Sequence, residues 1–93
     1  MINREMQENF QVALLRVLEA NTSRFGLGVP ALSLLVNQYG FTPKAEEVVS
    51  AMDYLEDAEN GLVRSVEKGQ MHPANRAWKV TAKGTNWLRE RGY

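Results

Sequence analysis

The chain has no cysteine, one histidine, three prolines and no net charge. Without cysteine there is no disulfide scaffold, no thiolate zinc site and no cysteine nucleophile. A single histidine, His72, cannot build a multi-histidine metal site. Lys and Arg number 11 and so do Asp and Glu, so no global basic field draws the chain to phosphates. Long apolar runs are also missing. The start, Met1-Ile2-Asn3-Arg4-Glu5, lacks the apolar core of a signal peptide. The longest uncharged stretch, Phe25 to Pro43, holds three glycines and two prolines, too broken for a spanning helix of ~20 apolar residues. The expectation is a soluble, cytoplasmic protein with no membrane partner.

Ninety-three residues allow one domain, spanning 1–93. With 44% hydrophobic and 24% charged residues, the composition fits a folded chain and not a disordered one. The chain is too short to add an enclosed catalytic cleft of ordinary size. Gly26-Leu27-Gly28 lacks the lysine and spacing of a P-loop and the preceding strand of a dinucleotide site. No nucleophile elbow surrounds any serine, and Glu46-Glu47 imply no cleft. These absences argue against an enzyme and against a cofactor.

What is present is a series of capped, periodic segments. Ile2, Met6, Phe10, Ala13, Leu14, Val17 and Leu18 form one stripe of a helix over about Asn3 to Asn21. Val12 and Leu15 fall off that stripe, either as isolated surface apolar residues or as a second stripe facing another copy of the chain. A short helix follows from about Pro30 to Tyr39, stopped by Gly40. A third helix starts with Thr42 as its cap and Pro43 in the first turn, and Glu46 and Glu47 favour its positive N-terminal end. Ala45, Val48, Val49, Met52 and Leu55 form its inner stripe, and Asn60-Gly61 marks its end. Two short helices joined across Gly40-Phe41-Thr42 make a helix-turn-helix arrangement.

After Gly61 the period changes from helical to alternating. Leu62 to Glu67 alternates, Lys68 to Asn75 is loop material, and Arg76 to Thr81 alternates again, with Trp78 and Val80 on one face and Ala77 and Lys79 on the other. Thr81 can cap a last helix to about Arg91, with Trp87 and Leu88 inward. The expected core holds Phe10, Leu14, Val17, Leu35, Val48, Met52, Leu55, Trp78 and Leu88. The sequence therefore predicts an α+β, mostly α, fold of three helices, a two-stranded hairpin and a short C-terminal helix, which is a winged helix-turn-helix.

The stretches Leu55…Gly61-Leu62-Val63-Arg64 and Asn75-Arg76…Trp78-Lys79-Val80-Thr81-Ala82-Lys83-Gly84 resemble the wing of MarR-type and PadR-type transcriptional regulators. Val80 stands where those families most often have leucine, and Asn75 where the MarR pattern tends to have aspartate. The resemblance implies a DNA-binding regulator of bacterial or phage type. Winged helices also serve as protein-binding scaffolds, so the fold leaves both roles open.

Charge is unevenly distributed. Residues 44–60 set Lys44 against Glu46, Glu47, Asp53, Glu56, Asp57 and Glu59, a net of −5. Residues 61–93 set Arg64, Lys68, Arg76, Lys79, Lys83, Arg89 and Arg91 against Glu67 and Glu90, a net of +5. A helix-turn-helix normally lays its second helix in the major groove, yet here Glu46, Glu47, Asp53, Tyr54 and Asp57 occupy its outer side. Carboxylates beside phosphates are repelled unless paired. The candidate DNA contacts are therefore Arg64, Lys68, Arg76 and Lys79 in the hairpin, with Lys44 and Ser50 at the start of the third helix. The alternative is a protein-interaction module that docks a partner on Glu46, Glu47, Asp53, Tyr54 and Asp57. The acidic side is also read as a solvated face, and the basic hairpin as one paired with the acidic helix. A homodimer would form through Val12 and Leu15. Met71 and His72 read as loop residues, and Trp78 and Trp87 as core.

Overall fold

The computed structural model describes residues 4–21, 26–57, 59–66 and 76–93. Helix α1 (Arg4–Ala20) leads into a two-residue strand, β1 (Leu27–Gly28). Helix α2 (Val29–Leu35) follows and tightens into a 3₁₀ turn over Val36–Tyr39. Helix α3 (Ala45–Glu56), strands β2 (Val63–Ser65) and β3 (Ala77–Val80), and helix α4 (Ala82–Glu90) complete the order. Among the described residues the architecture is α+β and mostly helical. Its radius of gyration, 12.4 Å, matches the roughly 12 Å of one folded body of this length. No described helix is long and apolar enough to cross a membrane.

The sheet has three strands where the sequence predicts two. Its order is β1-β3-β2, antiparallel throughout. Leu27 pairs with Trp78 and Gly28 with Ala77 on one side of β3. Val63 pairs with Val80, Arg64 with Lys79 and Ser65 with Trp78 on the other. A two-residue strand shows no alternation to read, which is why β1 has no signature in the sequence.

Helix α1 is the centre of the molecule. It packs against α2, α4, β3 and the 3₁₀ turn, so it buries much more than one stripe. Phe10, Ala13, Leu14, Val17 and Leu18 are buried, and so are Val12 at 7% exposure and Leu15 at 0%. This corrects the assignment of Val12 and Leu15 to a dimer interface: both are spent inside the chain's own core and offer no outer face. The stripe reading assumes one-sided burial, and α1 is covered from several directions. The remaining core comes from Leu32, Val36, Val48, Met52, Leu55, Leu62, Val63, Trp78 and Leu88. Leu35, expected inside, is half-buried and packs on the edge of this cluster. Each fully buried side chain of this size contributes about 1.5–3 kcal/mol relative to exposure.

The helix ends explain the chain path. Gly40 closes the 3₁₀ turn in the left-handed region at φ 89°, which glycine adopts without a side-chain clash. The start of α3 lies later than Thr42 and Pro43 predict. Lys44 is its N-cap, because Glu47 reaches back and accepts the Lys44 N–H at 2.9 Å. Helix α3 also stops earlier than predicted, at Glu56. Asp57 turns the chain there, its carbonyl accepting the N–H groups of Asn60 at 2.9 Å and Gly61 at 2.7 Å. Thr81 caps α4 as expected. Its hydroxyl accepts the Gly84 N–H at 3.0 Å and donates to the Gly61 carbonyl at 2.6 Å, so one residue joins helix, strand and turn. Gly84 is buried there, and a Cβ on it would collide with the Leu62 carbonyl and Val80.

Candidate functional site

Alternation along β3 divides the basic residues between two faces. Arg76, Trp78 and Val80 share one face by the two-residue period, and Lys79 lies on the other. Trp78 is fully buried, so the face it shares with Arg76 is the one turned to the helices. Arg76 follows it inward. Its guanidinium lies 4.8 Å from the Trp78 ring centre and donates to Asp53 at 2.8 Å and to Glu56 at 3.2 Å. Asp53 and Glu56 are three residues apart on α3 and so stand on neighbouring positions of one helix side. Glu56 uses its second oxygen to accept the Ser65 N–H at 2.7 Å. Arg76 is thus committed to holding α3 against the sheet.

Arg64 and Lys79 point the other way. They are direct cross-strand partners, which sets their Cβ atoms about 4.5–5.5 Å apart on the outer face. Arg64 is exposed and Lys79 half-buried. Among the described residues neither has a carboxylate within 4.0 Å. Like charges directly opposite in a ladder repel, so this pair forms a local site attractive to an anion. Lys68, together with Met71 and His72, lies outside the described residues.

The acidic side of α3 is partly engaged. Asp53 holds Arg76, Glu47 caps Lys44, and Asp57 accepts the N–H of Glu59 at 3.0 Å. Lys83 donates to the Glu59 carbonyl at 3.2 Å, so a second basic side chain of the C-terminal half is drawn to the end of α3. Glu46 and Ser50 are exposed and make no hydrogen bond or ion pair among the described residues. Tyr54 is 55% exposed, as Leu34 is at 69% and Tyr93 at 51% among the described residues. Lys44 and Ser50, proposed partners of the hairpin, stand beside Glu46 and Glu47.

Between α1 and α3 runs a trough of about 480 Å³. Gln7, Phe10 and Gln11 form its α1 wall. Glu46, Glu47, Ser50, Ala51 and Tyr54 form the α3 wall. Phe10 lies 7% exposed at its base and stacks at 45° on Phe41, with ring centres 5.3 Å apart. A second concavity of about 430 Å³ shares Gln7, Gln11 and Tyr54 with the first and continues to Asn60, Trp87 and Arg91. There the Arg91 guanidinium covers the Trp87 ring at 3.6 Å and lies 3.9 Å from Glu8. Sequence reading missed Gln7 and Gln11 because they lie on a helix whose apolar residues held all the signal.

Among the described residues no three His, Asp or Glu side chains converge in a way that would hold a metal ion. Comparison with family models, with curated proteins and with solved structures gave no match.

Proposed function

We propose that the chain is a winged-helix DNA-binding protein, a transcriptional regulator of bacterial or phage type, that contacts DNA mainly through its basic wing. The order helix, strand, helix, helix, paired strands, helix supports the winged reading. The observation that carries the function is the cross-strand pair Arg64 and Lys79, two cations side by side on the outer face with no carboxylate within 4.0 Å among the described residues. Phosphate oxygens are the anions that such a pair would bind, and each contact releases counterions. Lys44 at the N-cap of α3 and Ser50 midway along it are proposed to add to this set, against the repulsion of Glu46 and Glu47 beside them. Arg76 leaves it, because Asp53 and Glu56 already neutralise it. A cytoplasmic location goes with this role.

Fluorescence anisotropy on labelled duplex DNA at increasing salt tests the reading. Wild type should bind at low salt and lose affinity steeply as salt rises. Arg64→Ala with Lys79→Ala should reduce the slope of log affinity against log salt by about two, roughly 0.9 for each lost phosphate contact. Absence of binding at low salt would overturn the reading. A second reading, protein docking along the acidic third helix, is favoured by the trough beside Glu46 and the exposed Tyr54 ring.

A further inference from the structure

The trough between α1 and α3 combines three properties along one line. Its lining includes apolar side chains, Phe10 and Ala51. Its α1 wall carries the side-chain amides of Gln7 and Gln11, each able to donate and to accept. Among the described residues its charged lining is of one sign, Glu46 and Glu47. At about 480 Å³ it has room for a few side chains, and it is open to solvent rather than enclosed. A phosphate backbone is repelled by the two carboxylates, and an apolar small molecule would leave them unused.

We propose that this trough binds an exposed segment of a partner protein in which Lys or Arg flanks an apolar side chain. The apolar side chain seats on Phe10 and Ala51. The cation lies against Glu46, which has no partner of its own among the described residues, and against the free oxygen of Glu47, whose other oxygen holds the Lys44 N–H. Gln7 and Gln11 hydrogen-bond the backbone of the incoming segment, and the Tyr54 ring closes one end. The complementarity is charged at the rim and apolar at the base, the usual division of a peptide-binding surface. The proposal rests on the docking reading of α3. It is independent of phosphate binding at Arg64 and Lys79, which lie on the outer face of the sheet.

The test uses the full chain and a pair of short labelled peptides, one alternating Lys and Leu and one alternating Glu and Leu, at low salt. The Lys-Leu peptide should bind, the Glu-Leu peptide should not, and amide shifts should concentrate at Gln7, Gln11, Ser50 and Tyr54. Glu46→Lys and Ser50→Arg alter exposed side chains, so circular dichroism should show both folded, and each should weaken the Lys-Leu peptide about tenfold. Arg64→Ala with Lys79→Ala should leave it unchanged, which separates a failure here from a failure of DNA binding. Equal affinity for both peptides, no binding of either, or shifts centred away from the trough would overturn the proposal. So would a dimer in sedimentation that Ser50→Arg abolishes, since a second copy would then be the occupant.

Discussion

Glu56 and Arg76 meet at 3.2 Å between α3 and β3, and the other Glu56 oxygen takes the Ser65 N–H of β2 at 2.7 Å. One carboxylate therefore ties a helix to two strands. Glu56→Ala removes both bonds and leaves the part-buried Ser65 N–H without its acceptor, an expected cost of about 1–3 kcal/mol. Asp53→Ala breaks only a pair whose carboxylate side is 53% exposed, and should cost less than about 1 kcal/mol. Urea midpoints of the two variants decide this. Equal losses would remove the special role of Glu56.

Gly84 should tolerate nothing larger. Its Cβ position is already filled by the Leu62 carbonyl and Val80, so Gly84→Ala must push α4 off the sheet. The expected loss is about 1–3 kcal/mol. At Gly40 nothing lies within 4 Å of a built Cβ, and only the φ of 89° resists substitution. Gly40→Ala should therefore cost about 1 kcal/mol. Thermal melts of both variants compare collision with backbone strain directly.

Leu15 should behave as a core residue. Leu15→Ala is expected to cost about 2–5 kcal/mol, and Leu15→Glu to unfold the chain by burying a carboxylate among apolar side chains. Circular dichroism with sedimentation distinguishes this from an interface role. A folded Leu15→Glu protein that merely changes its oligomeric state would restore Leu15 to a contact surface.

Arg76 and Arg64 should separate by phenotype. Arg76→Ala leaves Asp53 and Glu56 facing each other without their cation, so its main effect should be on stability, of roughly 1 kcal/mol. Its effect on the salt dependence of DNA binding should be small. Glu46→Gln should strengthen non-specific DNA binding by removing a repulsive charge at the start of α3. Anisotropy and melting measured on the same preparations check both statements. An Arg76→Ala variant of unchanged stability with weakened DNA binding would return Arg76 to the phosphate contacts.

The helices were legible from their 3.6-residue periods, while of the expected caps Thr81 holds and Thr42 gives way to Lys44. The expected core residues Phe10, Leu14, Val17, Val48, Met52, Leu55, Trp78 and Leu88 are all buried. Val12 and Leu15 were misjudged because a stripe describes a helix buried on one side, and α1 is covered from several directions. The unbroken run Val12-Ala13-Leu14-Leu15 held the hint, since four consecutive apolar residues already cover every side of one turn. The candidate site was legible by charge and not by geometry. Counting Arg76 with Lys79 ignored the alternation that places it with Trp78 instead, and that parity separates the arginine held by Asp53 and Glu56 from the half-buried Lys79 on the other face. Phe10 entered the reading as core only, since the trough it underlies exists only once α1 and α3 are side by side.

The pairing of Leu27 with Trp78 spans roughly fifty residues of chain. Closing a loop of that length costs about 3.5 kcal/mol in chain entropy before any contact is gained. Helices α2 and α3 can meet long before that, because their contacts are local in sequence. The β1–β3 pairing is therefore expected late in folding, after the local β2–β3 hairpin, and β3 touches both α1 and α4. A chain interrupted before β3 would leave β1 with no strand to pair and α1 with a bare apolar side. Such a chain is expected to expose apolar α1 side chains until Trp78 is present to cover them.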